Sequence, residues 1–187
     1  MKAIRTAIPE VLIIEPDVLK DDRGFFLESY HRLKFSELGI RDQFVQDNHA
    51  MSGRGILRGL HYQIKHQQAK LCRVIRGEVF DVAIDIRRGS PYFGKAVSTV
   101  LSAENMLQIY IPAGFAHGYL VLSETAEFLY KCSDFYYSEF DRGILWNDPA
   151  LGINWGVDNP RLSAKDRNHP PLAQVATEEL PGYEPLR

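Results

Sequence analysis

His61 and His117 lie in the two stretches of this chain that say most about its chemistry. His61 lies in Arg58-Gly59-Leu60-His61-Tyr62-Gln63, five residues beyond Gly55, and His117 ends Pro112-Ala113-Gly114-Phe115-Ala116-His117. A Gly-x5-His-x-His segment with a following Glu, joined to Pro-x-Gly-x-x-His, would bind a divalent metal. Here the second His is Gln63, and no Glu lies between Gln63 and Gly77. The stretch where it would fall reads Gln67-Gln68-Ala69-Lys70. An amide and a neighbourhood containing Lys do not suit a divalent cation. They suit an anion or a developing enolate, so metal-free acid–base chemistry is expected.

An imidazole has the unperturbed pKa nearest neutrality and suits a general base. A lone His in a strand is more often a packing residue, but Arg58 and Lys70 flank this one. A base His needs an acceptor on its other nitrogen. Chain distance does not identify that acceptor; Asp166 is a candidate and equally fits a solvated turn. Lys70 shares strand parity with Cys72 and Val74, and facing inward it would stabilise an enolate. Tyr130 shares a face with Phe128 and Cys132. Core aromatic is the default for it, although a phenol can also return a proton to a carbanion. Arg23, in Asp21-Asp22-Arg23-Gly24-Phe25-Phe26, could hold a phosphate beside an aromatic, and Gln46-Asp47-Asn48 offers groups for a sugar or base edge.

These groups need a β framework, and the chain supplies one. Phe80, Val82, Ile84 and Ile86 alternate with Asp81, Ala83 and Asp85, a period of two. Lys70 to Arg76 reads as the partner strand, with Arg76-Gly77-Glu78 as the connecting turn. Leu107 to Ile111, Tyr119 to Leu122 and Glu127 to Cys132 add further strands, the last two around Ser123-Glu124-Thr125. Helix signal is confined to His31–Leu38, closed by Gly39, and a turn or two in Asp158–Ala164. Many short strands between turns indicate an all-β sandwich or barrel. The segment beyond Pro170 reads as a loosely packed extension.

At 187 residues one domain is expected, and a net charge of −2 argues against nucleic acid as partner. No apolar run approaches a membrane span. Cys72 and Cys132 fit buried reduced thiols, although sequence leaves a disulfide open. A cytoplasmic protein is expected.

From about Ile4 to Pro171 the chain resembles the dTDP-4-dehydrorhamnose 3,5-epimerases. The matching blocks include Asp22 to Tyr30, Phe44 to His49, Leu57 to Gln63, Gly77 to Ala83, Leu101 to Asn105, Ile111 to Gly118, Phe128 to Lys131, Ile144 to Asp148 and Leu162 to Asp166. The resemblance implies a cupin-type double-stranded β-helix, a jelly-roll barrel with a few short helices, over residues 1–171, with 172–187 as an extension. It implies a homodimer, free of metal and cofactor, that inverts C3 and C5 of dTDP-4-dehydro-6-deoxy-D-glucose to give dTDP-4-dehydro-L-rhamnose. His61 would remove each proton, Asp166 pair with it, Lys70 steady the enolate and bind substrate, and Tyr130 reprotonate. Arg23, Glu28, Gln46, Asp47, Asn48, Arg58, His117 and Lys165 would bind substrate, with Tyr136 stacking on the base. Three positions depart from the family pattern: Ala69 for Gly, Asp141 for a substrate-contacting Glu, and Tyr110 for Trp. They leave room for inversion at one carbon on a related nucleotide-linked 4-keto-6-deoxy sugar. The competing readings are a metal-dependent oxygenase or isomerase built on His61, His117 and His49 or His66, and a silent binder or ketoisomerase on the same fold.

Overall fold

The structure, a computed structural model, describes residues 1–184. Thirteen strands and two short α-helices lie among them: β1 (Lys2–Arg5), β2 (Leu12–Glu15), β3 (Val18–Asp21), β4 (Gly24–Leu27), α1 (Arg32–Glu37), β5 (Gln46–Gly53), β6 (Leu57–Gln63), β7 (Lys70–Arg76), β8 (Glu78–Asp85), β9 (Ala96–Ser102), β10 (Gln108–Ile111), β11 (Phe115–Val121), β12 (Thr125–Cys132), β13 (Asp141–Gly143) and α2 (Ala164–Arg167). Two antiparallel sheets, ordered β1-β2-β10-β7-β12-β5 and β13-β6-β11-β8-β9, form the jelly roll, and β3 and β4 make a separate hairpin.

Alternation decides the core. Cys72, Val74 and Phe128 from the first sheet meet Val79, Ala83, Leu101, Tyr119 and Val121 from the second, because every second side chain of a strand shares a face. The intervening residues of the five-stranded sheet, among them Leu57, Leu60, Val82, Ile84 and Leu120, face outward. They are covered by Ile144, Leu151, Trp155, Leu172 and Leu180. Phe35 of α1 packs with Ile14, Ile40 and Leu71 on the outer face of the other sheet. Within α1, His31 caps the first turn and the chain leaves after Leu38 through Gly39 at φ +95°, as expected of an αL helix end.

Three expectations need correction. β7 and β8 do not pair: β7 lies between β10 and β12, β8 between β11 and β9. Only Gly77 separates them, too little chain for a hairpin, so the backbone steps from one sheet to the other. Gly77 has φ +74°, and a Cβ there would stand 2.1 Å from the Thr125 carbonyl oxygen. The turn before β12 is likewise a crossover between sheets. The second helix is Ala164–Arg167 rather than Asp158–Ala164, with Ser163 as its N-cap. The segment after Pro170 is not loose: Leu172 and Leu180 are buried, the Leu172 N–H donates to Asp148 at 2.8 Å, and Arg88 exchanges backbone hydrogen bonds with Pro181 and Tyr183. Its prolines fix extended and 3-10 backbone without preventing packing.

Two substitutions test this account by thermal or denaturant unfolding. Gly77→Ala should destabilise by about 1–3 kcal/mol from backbone strain alone, with the Thr125 clash added. Leu172→Ala should cost about 2–5 kcal/mol; a value near zero would mean the tail is not part of the core.

Candidate active site

The site begins with a close approach of two backbones. On β6 and β11, Gly59 and Gly118 touch: a Cβ on Gly59 would lie 2.6 Å from Gly118 Cα, and one on Gly118 would lie 2.7 Å from the Arg58 carbonyl oxygen. Gly59 has φ +132°, open to glycine and strained for other residues. The β6–β11 register shifts here, and beyond the shift His61 pairs with His117. The irregularity sets two imidazoles side by side in the strands. It also gives Gly59, two residues before His61, and Gly118, directly after His117, a steric reason.

His61 retains 35% side-chain exposure, and its Nε2 lies 2.7 Å from Asp166 Oδ1. That carboxylate comes from α2, whose Ser163 Oγ accepts from the Asp166 N–H at 3.1 Å, so the cap fixes the helix that carries the acid. Asp166 is only 4% exposed. Burial alone would push its pKa up. The imidazoles of His169 and His61 and the Gly59 N–H favour the charged form and hold it well below the usual carboxylate range. An ionised acceptor places the His61 proton on Nε2 and leaves the Nδ1 lone pair free.

The opposite sheet supplies the other groups. Lys70 pairs with Cys132, and Tyr130 with both Cys72 and Asn48, in adjacent strands β7, β12 and β5. Lys70 is 9% exposed, and among the described residues the lysines in salt bridges are Lys2, Lys34, Lys131 and Lys165. Tyr130 packs 5.9 Å from Phe128, whose ring stacks 6.1 Å from His117, so a chain of rings links the two sheets. Burial pushes the Tyr130 phenol well above its ordinary pKa, which keeps its proton in place at neutral pH. Both cysteines are free and buried.

Around the rim the predicted polar residues join up. Gln46 Oε1 accepts from the Tyr136 N–H at 3.0 Å, its Nε2 donates to Asn48 at 3.1 Å, and the Tyr136 hydroxyl donates to Asp141 at 2.9 Å. Lys165 pairs with the same Asp141 carboxylate. Arg58 Nε donates to Ser52 Oγ at 3.1 Å. His117 is buried with Nε2 2.9 Å from Asp81 Oδ2. Gln63, which stands where a second ligand His would be, serves structure. Its amide donates to the carbonyls of His66 (2.7 Å) and Phe135 (3.1 Å) and accepts from the Tyr137 N–H (2.6 Å), tying down the loop that carries Tyr136.

Other predicted residues lie elsewhere. Asp47 has the opposite parity on β5 and pairs with Lys131 at 2.9 Å, on the face away from Gln46 and Asn48. Arg23 and Glu28 pair with Asp21 and Lys34, at and just beyond the exposed β3–β4 hairpin. His49 and His66 bond to Glu127 and Asp134 and do not converge with His61 and His117. Sequence reasoning missed Asp81 and His169. Asp81 could have been suspected as an inward-facing acid on a strand of apolar residues. His169 gives no such signal.

The ion pair yields a pH test. Asp166 is more acidic folded than unfolded, so it contributes stability above about pH 4 that is lost as the pH falls through its lower folded value. Asp166→Asn should therefore flatten the acid limb of the unfolding free energy below about pH 4. An unchanged acid limb would contradict the pairing.

No helix among the described residues is long and apolar enough to cross a membrane. The family model described as dTDP-4-dehydrorhamnose 3,5-epimerase matches residues 5–174. A protein of that name from Pseudomonas aeruginosa is 61% identical over 169 residues, covering 89% of this chain and 93% of its own. The crystal structure of dTDP-6-deoxy-D-glucose-3,5-epimerase from Legionella pneumophila, in complex with dTDP-4-keto-L-rhamnose, superposes with TM-score 0.96 at 49% identity, covering 98% and 99% of the two chains. A 3'-monoepimerase from Streptomyces bikiniensis in complex with dTDP-quinovose gives TM-score 0.90 at 34% identity, covering 98% and 93%. With a family model, relatives and solved structures that match in sequence and fold along nearly its whole length, the chain belongs to the dTDP-4-dehydrorhamnose 3,5-epimerase family.

Proposed function

We propose that this 3,5-epimerase of dTDP-L-rhamnose biosynthesis works through His61 as base, Asp166 as its orienting partner, Lys70 as the enolate-stabilising cation and Tyr130 as acid. The observation that carries the reading is the 2.7 Å bond from His61 Nε2 to Asp166, on the sheet facing Tyr130. In dTDP-4-dehydro-6-deoxy-D-glucose the C4 carbonyl acidifies the C–H bonds at C3 and C5. His61 Nδ1 takes the proton, and the C–H electron pair moves onto O4 as an enolate beside the Lys70 ammonium. As the carbonyl reforms, the carbon takes the Tyr130 proton from the opposite face, which inverts the centre. Proton exchange with solvent then resets His61 and Tyr130. One cation and one acid–base pair serve both carbons because both flank the same carbonyl.

Arg58 and His117 are placed with Gln46, Asn48, Tyr136, Asp141 and Lys165 as the binding rim, Tyr136 stacking on the base; Asp47 is left out of this set. The catalytic unit is residues 1–171, clasped by the following segment. A cytoplasmic location fits two buried unpaired thiols. We also propose a homodimer. The hairpin next to Arg23 exposes Leu19, Phe25 and Phe26 at 60–66%, an apolar patch that calls for a partner, and in a dimer Arg23 and Glu28 would serve the neighbouring subunit's cleft.

The decisive experiment is turnover of the 4-keto sugar nucleotide in deuterated water, read by NMR. Deuterium should enter at both C3 and C5; labelling at only one of them, C3 or C5, would leave a mono-epimerase, and at neither would reject the scheme. His61→Asn should lower exchange by roughly 10²–10⁴-fold, and Tyr130→Phe should allow proton loss while suppressing inversion. For the dimer, Phe26→Asp should shift the sedimentation mass towards one chain and lower activity. A dimeric, active Phe26→Asp protein would refute the hairpin's role.

A further inference from the structure

The proposed base and its carboxylate belong to a cluster with a third member, His169, that the proton-transfer scheme does not use. One ligating atom from each of His61, Asp166 and His169 lies within 4.8 Å of the other two, and Asp166 Oδ1 stands 2.7 Å from His61 Nε2 and 3.7 Å from His169 Nε2. The His169 side chain is 10% exposed. Its Nε2 is the one buried side-chain nitrogen or oxygen without a hydrogen-bond partner among the described residues. An unpartnered buried polar atom costs free energy, and this one is aimed at two groups that ligate metals. The ring has room because position 143, in register with His61, is glycine: a Cβ there would stand 2.3 Å from His169 Nε2. A cavity of about 190 Å³ lined by Tyr62, Arg142, His169 and Glu179 gives an approach.

We propose that His61, Asp166 and His169 form a Zn2+ site whose occupation blocks epimerisation. Two imidazoles and one carboxylate are a donor set for Zn2+ and related first-row ions, with a further position left for water. Mg2+, which prefers oxygen donors, would not compete. The block rests on the proposed role of His61 and follows from proton bookkeeping. In the metal-free enzyme the His61 proton sits on Nε2 towards Asp166, and the Nδ1 lone pair is the base. Zn2+ takes the Nε2 lone pair, so the neutral ring must carry its proton on Nδ1. No proton is lost from the ring, and the basic nitrogen is capped. The cluster of Cys72, Asp81 and His117 also brings three donors within 4.8 Å. There, however, no buried side-chain nitrogen or oxygen is left without a hydrogen-bond partner among the described residues, and burial pushes the Cys72 thiol well above its ordinary pKa, which disfavours the thiolate a metal needs.

The test measures Zn2+ binding to chelator-treated full-length protein by competition with a chromogenic chelator, alongside the deuterium-exchange assay. One equivalent should bind. His169→Gln, which fills similar space without being a usual zinc ligand, and His169→Ala should each weaken binding by at least about tenfold, while Cys72→Ser should leave it intact. Zn2+ should suppress deuterium entry at C3 and C5 alike, a chelator should restore it, and Mg2+ should do neither. Absence of stoichiometric binding, equal binding by His169→Gln, or loss only in Cys72→Ser would overturn the site. Binding at the site with undiminished exchange would overturn the block. Failure of exchange in metal-free wild-type enzyme would instead count against the proton-transfer scheme, and the binding measurement would still decide the site.

Discussion

A carboxylate that loses its water must be compensated by neighbours, and Asp166 is compensated by the residues that make the site. His61 and the Gly59 N–H approach it from β6, His169 from the segment that follows α2, and Ser163 caps the helix beneath it. The charge thus fixes the position of α2 relative to the five-stranded sheet. It also fixes the tautomer and orientation of the imidazole. A protonated or amide side chain in its place would loosen both at once, because one oxygen serves fold and site together.

The two-sheet architecture then decides which residues face the proposed base. Tyr130, Lys70, Asn48 and Gln46 come from three strands of one sheet, whereas His61 and His117 come from two strands of the other. Removing a proton from one face of a sugar ring and returning one to the opposite face requires groups on opposite sides. A closed pair of sheets provides that with little further adjustment.

The motif that resembles a metal site has had its donors reassigned. Gln63 anchors the loop bearing Tyr136, and His117 is paired with buried Asp81. Lys70, buried on β7, stands in the stretch of sequence where the carboxylate ligand of such a motif would fall. A fixed cation near a carbonyl oxygen favours an enolate, as a metal would, without a second species to bind. The exposed hairpin stands apart from this cleft: Arg23 and Glu28 pair locally with Asp21 and Lys34, and only the proposed dimer would bring them to a substrate.

The sequence by itself determined the strands, through alternation of period two, and the family, through blocks spread over most of the chain. It also indicated Lys70 as inward-facing, since parity is a local property of backbone. It could not say that β7 and β8 belong to different sheets, because a one-residue connection with glycine reads the same for a tight turn and a crossover. The tail was misread for a related reason: proline and charge describe local stiffness and solubility, whereas burial of Leu172 and Leu180 depends on an apolar sheet face assembled from distant strands. The separation of Asp47 from Gln46 and Asn48, the pairing of His61 with a carboxylate 105 residues away, and the unpartnered nitrogen of His169 were settled only by tertiary structure. Each is a relation between side chains that approach through space, and spacing along a chain carries no record of it.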